Sequence, residues 1–124
     1  RLPAGATVLA ANAMSAVQAA EIADGEKSFW GVQYHPEFDL ALIAALLAKL
    51  ERRLIDDGHA ASSEDVARIV ADFRALDADP GRRDIAWRYG LGAAVVDPML
   101  RRAELGNWFA EKVLPRAGRR AAAG

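Results

Sequence analysis

A histidine and a glutamate stand two residues apart in Trp30-Gly31-Val32-Gln33-Tyr34-His35-Pro36-Glu37-Phe38. An imidazole exchanges its proton near neutral pH, so it can serve as a general base and then as a general acid. A neighbouring carboxylate fixes its orientation and tautomer and favours the imidazolium. In extended backbone, residues two apart share a face, so His35 and Glu37 can lie side by side. Pro36 fixes one backbone torsion between them and limits how far the pair can splay. These are two members of a nucleophile, base and orienter set, and the nucleophile must come from elsewhere. Taken bare, such a pair is more often a half-buried strand-end histidine beside a solvated turn glutamate.

The elements that must hold this segment are legible on both sides. Thr7-Val8-Leu9-Ala10 reads as a strand after Pro3-Ala4-Gly5, and Val17, Ala19 and Glu21-Ile22 as a second extended segment. Asp24-Gly25-Glu26-Lys27 is a hairpin signal, with Phe29 to Tyr34 as the returning strand, bounded by Pro36. From Asp39 onward the pattern is helical. Leu40, Ile43, Leu46, Leu47, Leu50 and Leu54 recur at helical spacing up to a stop at Gly58. Ser62 and Asp65 open a second helix with Val66, Ile69, Val70, Phe73 and Leu76 on one face, ended by Asp79-Pro80-Gly81. A short helix is expected over Asp84 to Tyr89. A last one begins at Asp97-Pro98, with Met99, Leu100, Trp108, Phe109 and Val113 inward.

Composition bounds the rest. The chain has 124 residues, 52% of them hydrophobic and 27% charged, the balance of a globular protein rather than a disordered one. Its formal charge of -1 gives no electrostatic case for nucleic acid or an anionic membrane. The first 58 residues carry 5 basic and 8 acidic side chains and the remaining 66 carry 11 and 9, an asymmetry too small for a nucleic-acid surface. No run approaches the roughly 18 apolar residues of a membrane span, and no signal peptide is apparent, so a cytoplasmic location is expected. With no cysteine, disulfides, thiolate metal sites and a cysteine nucleophile are excluded within these residues. There is no phosphate loop and no metal-ligand cluster.

The run Gly31 to Glu37 resembles the Gly-Val-Gln-[Phe/Tyr]-His-Pro-Glu signature of class I, triad-type glutamine amidotransferases. Leu2 to Ala10 and Val17-Gln18-Ala19 resemble the two strands that precede it. Asp97-Pro98-Met99-Leu100-Arg101-Arg102 and Glu104-Leu105-Gly106-Asn107-Trp108 resemble the C-terminal helices of stand-alone members related to the glutaminase part of GMP synthase. The resemblance implies the C-terminal part of an α/β, flavodoxin-like domain, with two to three strands followed by a helical extension. Residues 1–58 would close the amidotransferase domain, 59–114 form the extension and 115–124 a flexible tail. His35 and Glu37 would be the catalytic base and its orienter in a Cys-His-Glu triad. The Gly-x-Cys-x-Gly elbow of that family is absent, so the resemblance places it upstream of Arg1 and leaves these residues alone without activity.

The implied reaction is hydrolysis of the glutamine side-chain amide. It needs no metal or organic cofactor, its substrate is glutamine, and its partner is a synthase or other ammonia acceptor. A γ-glutamyl amine or peptide hydrolase with the same triad is the alternative substrate reading, and a non-catalytic helical interaction module the alternative of another class. Asn12, Met14, Ser15 and Gln18 stand where a loop could border a glutamine pocket, although strand-end polar packing is the commoner role. Trp30 and Tyr34 are expected as packing aromatics, and His59 as an exposed loop residue. Arg88, Arg101, Arg102, Glu104 and Asn107 are expected in helix-surface pairs or in ties between helices and the α/β core, with Glu104 and Asn107 the first candidates for polar docking.

Overall fold

The Asp24-Gly25 reversal sets the topology of the N-terminal third. The structure, a computed structural model, describes residues 2–25 and 27–115. Strands β1 (Ala6–Ala10), β2 (Ala19–Asp24) and β3 (Lys27–Val32) form an antiparallel meander in the order β1-β2-β3. Asp24 pairs with Lys27 as the last rung of the hairpin, so Gly25 opens the loop rather than sitting second in it. The second and third strands are shorter than expected at the ends near the signature. Val17 lies in a loop, and β3 stops at Val32 instead of running on to Tyr34.

The chain divides into two compact units, one comprising Arg1–Pro36 and the segment from Ala103 onward, the other Glu37–Arg102. In the first, register places Thr7 beside Glu21 and Glu21 beside Trp30, so these three share a sheet face. The C-terminal segment reaches that face at Glu21 and Trp30, leaving Thr7 exposed. It consists of α7 (Ala103–Trp108) and a π-helical turn, Phe109–Val113, whose Lys112 reaches Glu21 at 2.9 Å. The opposite face carries Val8, Ala20, Ile22 and Phe29. Phe29 is 63% exposed and lays its ring edge 3.0 Å from where a Cβ on Gly31 would stand.

The second unit is helical. Asp39 caps α1 (Leu40–Lys49), its carboxylate accepting from Leu42 N at 2.7 Å. The single helix expected up to Gly58 is broken at Leu50, whose ψ of 13° leaves the helical range, and resumes as α2 (Glu51–Asp56). Backbone bonding continues across the break, from Leu50 N to Leu46 O and from Leu54 N to Leu50 O. Redirected in this way, Leu54 and Ile55 join Ala44, Val66 and Val70 in one apolar cluster. Gly58, at φ +76°, then ends α2 with a Schellman pair, His59 N donating to Leu54 O and Gly58 N to Ile55 O. The left-handed φ explains why glycine stands there.

Ser62 caps α3 (Ser63–Ala78), accepting from Asp65 N, while the Asp65 carboxylate reaches back to Ala61 N at 3.1 Å. Val66, Val70 and Leu76 of α3 are buried as the spacing predicts. A second apolar cluster joins Leu40 and Leu76 to Ile85 and Ala86 of α4 (Arg83–Arg88), with Phe73, Tyr89 and Val96 against it. Gly90 closes α4 by the same motif as Gly58. Two short turns follow, α5 (Ala93–Val96) and α6 (Pro98–Arg101), the latter capped by Asp97 as expected.

The one long inward-facing C-terminal helix is a correction. Arg102, with ψ near 1°, separates α6 from α7, and the winding loosens to π at Phe109. Without one continuous stripe, Met99, Leu100 and Phe109 stand exposed, Met99 at 81%, while Trp108 and Val113 are half-buried. The tail expected from Pro115 falls outside the described residues from 116 on.

Candidate functional site

The signature segment leaves the sheet as a bend rather than as strand. Gln33 and Tyr34 bend after β3, Pro36 and Glu37 form a turn, and the pleat that would have put His35 and Glu37 on one face ends at Val32. Same-face geometry therefore does not follow from a strand here. His35 and Glu37 are both exposed and Pro36 between them is buried. His35 belongs to the first unit and Glu37 opens the second.

The residues before His35 are anchored within the first unit. Gln33 donates from its backbone to Gln18 O and from Nε2 to Val17 O, each at 2.8 Å. Tyr34 donates its phenolic O–H to the Glu104 carboxylate on α7. Burial, together with that carboxylate, pushes the Tyr34 phenol up to about 12. Trp30 is half-buried, as expected of a packing aromatic, whereas Tyr34 is exposed and serves as a polar tie through its hydroxyl. Glu104 is thus a docking contact as the sequence suggested, whereas Asn107 is exposed.

Loop 11–18 is organised by one side chain. Asn12 Oδ1 accepts from Met14 N and Ser15 N at 2.9 Å and from Gln18 Nε2 at 3.2 Å, an Asx-type turn. Asn12, Ser15 and Gln18 therefore serve loop packing, and Met14 projects outward at 92% exposure. Since Gln18 O also receives Gln33 N, this loop supports the signature segment directly. The Gln33 contribution carried no separate signal in the sequence beyond its place in the motif.

Beneath these, Glu21 accepts from Ser28 Oγ at 2.6 Å and pairs with Lys112. Those two partners, aided by the Trp30 indole N–H from outside good hydrogen-bonding geometry, hold the Glu21 carboxyl down to about 2. Lys112 had no sequence signal, because a lone lysine on a late helix names no partner. In the second unit, Arg88 and the Tyr89 hydroxyl both donate to Asp72 Oδ2 at 2.7 Å, and Arg101 donates to Val95 O at 2.7 Å. His59 is an exposed loop residue following Gly58. Among the described residues no group of three His, Cys, Asp or Glu is placed to hold a metal, and no helix is long and apolar enough to cross a membrane.

The architecture defines an α/β chain, a three-stranded antiparallel sheet with helices. The chain is 34% identical over 123 aligned residues to a gamma-glutamyl-L-1-hydroxyisopropylamide hydrolase from Pseudomonas sp. That match takes in 97% of this chain and 40% of the relative, so the chain spans well under half the length of the curated relative it matches. A match of that extent includes the whole of 30–38. It is a distant and partial likeness to a hydrolase. No protein-family model matches the chain, and no solved structure does.

Proposed function

We propose that this chain is the C-terminal part of a γ-glutamyl amide hydrolase of the class I amidotransferase kind, with His35 as base and Glu37 as its orienter. The observation that carries the proposal is the nearly chain-long similarity to a hydrolase whose name specifies a γ-glutamyl amide, across a segment bearing the His-Pro-Glu signature. In this reading the three antiparallel strands, α1 and α2, within residues 1–58, complete a flavodoxin-like catalytic domain begun by a preceding segment. The remaining helices are its extension. That preceding segment supplies the cysteine and the elbow amides that stabilise the oxyanion.

His35 takes the thiol proton, and the thiolate attacks the γ-carbonyl carbon. The C–N bond breaks as His35 returns the proton to the leaving amine, giving a γ-glutamyl thioester. His35 then deprotonates a water that attacks the thioester, releasing glutamate and restoring the thiol. Glu37 keeps the imidazole oriented and offsets its positive charge.

The relative's name favours an N-substituted γ-glutamyl amide as substrate. Glutamine, the unsubstituted γ-glutamyl amide, is the second reading, favoured by the amidotransferase signature itself. It would release ammonia to an acceptor partner. The test uses the full-length polypeptide that carries this chain, with glutamate, amine and ammonia release measured from a γ-glutamyl alkylamide and from glutamine. Amine release that falls by about 10²–10⁴ in His35→Ala supports the assignment. Wild-type turnover in His35→Ala, or no release from either substrate, overturns it.

A further inference from the structure

His35 is exposed, yet the backbone on both sides of it is held. Gln33 is bonded twice to loop 11–18, Tyr34 is bonded through its side chain to Glu104, and Pro36 is buried. Of these anchors, the Tyr34–Glu104 bond is made adjacent to His35 and comes from α7, 70 residues away in sequence. A hydroxyl donating to a carboxylate is roughly twice as strong as a neutral pair, so this tie restrains the segment more than an ordinary surface contact. Glu104 is itself partly covered. An ionised group in that position loses more when its donor is removed than an exposed one does.

Resting on the function proposed above, we infer that Glu104 is a positioning residue for His35, acting through the Tyr34 phenol. The C-terminal helix α7 is then part of what makes the base effective. A base displaced by about 1 Å loses on the order of 100-fold in rate, whereas substrate binding need not change. The signature's Phe-or-Tyr position gains a role in this chain that a phenylalanine could not fill, since only the hydroxyl reaches the carboxylate.

The experiment compares full-length wild type, Tyr34→Phe, Glu104→Gln, Glu104→Leu and the Tyr34→Phe/Glu104→Leu double variant. γ-Glutamylmethylamide and glutamine are the probes, and kinetics are taken well below each melting transition. Tyr34→Phe and Glu104→Leu are each expected to lower kcat roughly 10- to 100-fold with KM changed by less than about twofold. The double variant should lose no more than either single one, because both remove one interaction. Glu104→Gln keeps an acceptor for the phenol and should retain most of kcat. Wild-type kcat in Glu104→Leu, or losses that simply add, overturns the inference. So does a change confined to melting temperature. Should Tyr34→Phe not fold, the comparison of Glu104→Gln with Glu104→Leu decides the matter alone. His35→Ala is run alongside. Full activity there removes the proposed function, while an inactive His35→Ala beside an unaffected Glu104→Leu removes only the positioning role.

Discussion

Lys112 sets its ammonium 2.9 Å from the Glu21 carboxylate, joining the π-helical turn to the middle strand of the sheet. The same ammonium lies 5.6 Å from the centre of the Trp30 ring, and Glu21 also receives the Ser28 hydroxyl from β3. Three strand residues and one late lysine thus form a single cluster on one sheet face. It ties the end of the described chain to the strand that leads into the signature.

That cluster makes the first unit sensitive to acid. The Glu21 carboxyl is held at about 2 against an ordinary value of 4.5, so folding favours its charged form. Stability from a depressed carboxylate is fully present above the ordinary value and is lost as pH falls through the folded one. Wild type should therefore lose melting temperature between about pH 4.5 and pH 2 by more than Glu21→Gln does. A difference between the two proteins that stays constant over that window would contradict the pairing.

Leu76 is the deepest large side chain joining α3 to α1 and α4, at 0% exposure in the cluster with Leu40 and Ile85. Leu76→Ala should cost about 2–5 kcal/mol in urea-induced unfolding, the usual range for a buried leucine that leaves a cavity. Ser62→Ala, which removes only the cap of α3, should cost about 1 kcal/mol. If the cap variant proves the more damaging, the helical unit is not organised around this cluster.

Residues whose partners are near in sequence were readable there. Asp39, Ser62 and Asp97 cap as their types predict, because a cap needs only an oxygen and an amide two or three residues on. Gly58 stops its helix because a left-handed turn needs glycine. The breaks at Leu50 and Arg102 were not readable, since neither residue type is a helix breaker. His35 and Glu37 stand out in the sequence as a motif. The bend that carries them was not legible, because Tyr34 is a β-forming residue type while the ladder to β2 ends at Val32.

Met99 tests the corrected C-terminal reading. An inward stripe would bury it, whereas it is 81% exposed on the short turn α6. Met99→Gln should change unfolding free energy by no more than about 0.5 kcal/mol, as for surface sites generally. Val96, packed against the Leu76 cluster, should by contrast lose about 1–3 kcal/mol on conversion to Ala. A large loss at Met99 would restore the single long helix.

Under the function proposed above, Glu37→Gln separates the base from its orienter. The amide keeps the size of the side chain but removes the charge that stabilises an imidazolium, so turnover should fall while His35 remains able to accept a proton. In the full-length polypeptide the loss should be smaller than the roughly 10²–10⁴ expected on removing the base with His35→Ala. KM should stay near the wild-type value, since the carboxylate is assigned no part in binding substrate. A Glu37→Gln protein with unchanged kcat would assign the orienting role to another group and leave His35 as the motif's sole catalytic member. A loss equal to that of His35→Ala would instead mean that the imidazole is useless without its partner, which steady-state rates of the double variant would show by adding nothing further.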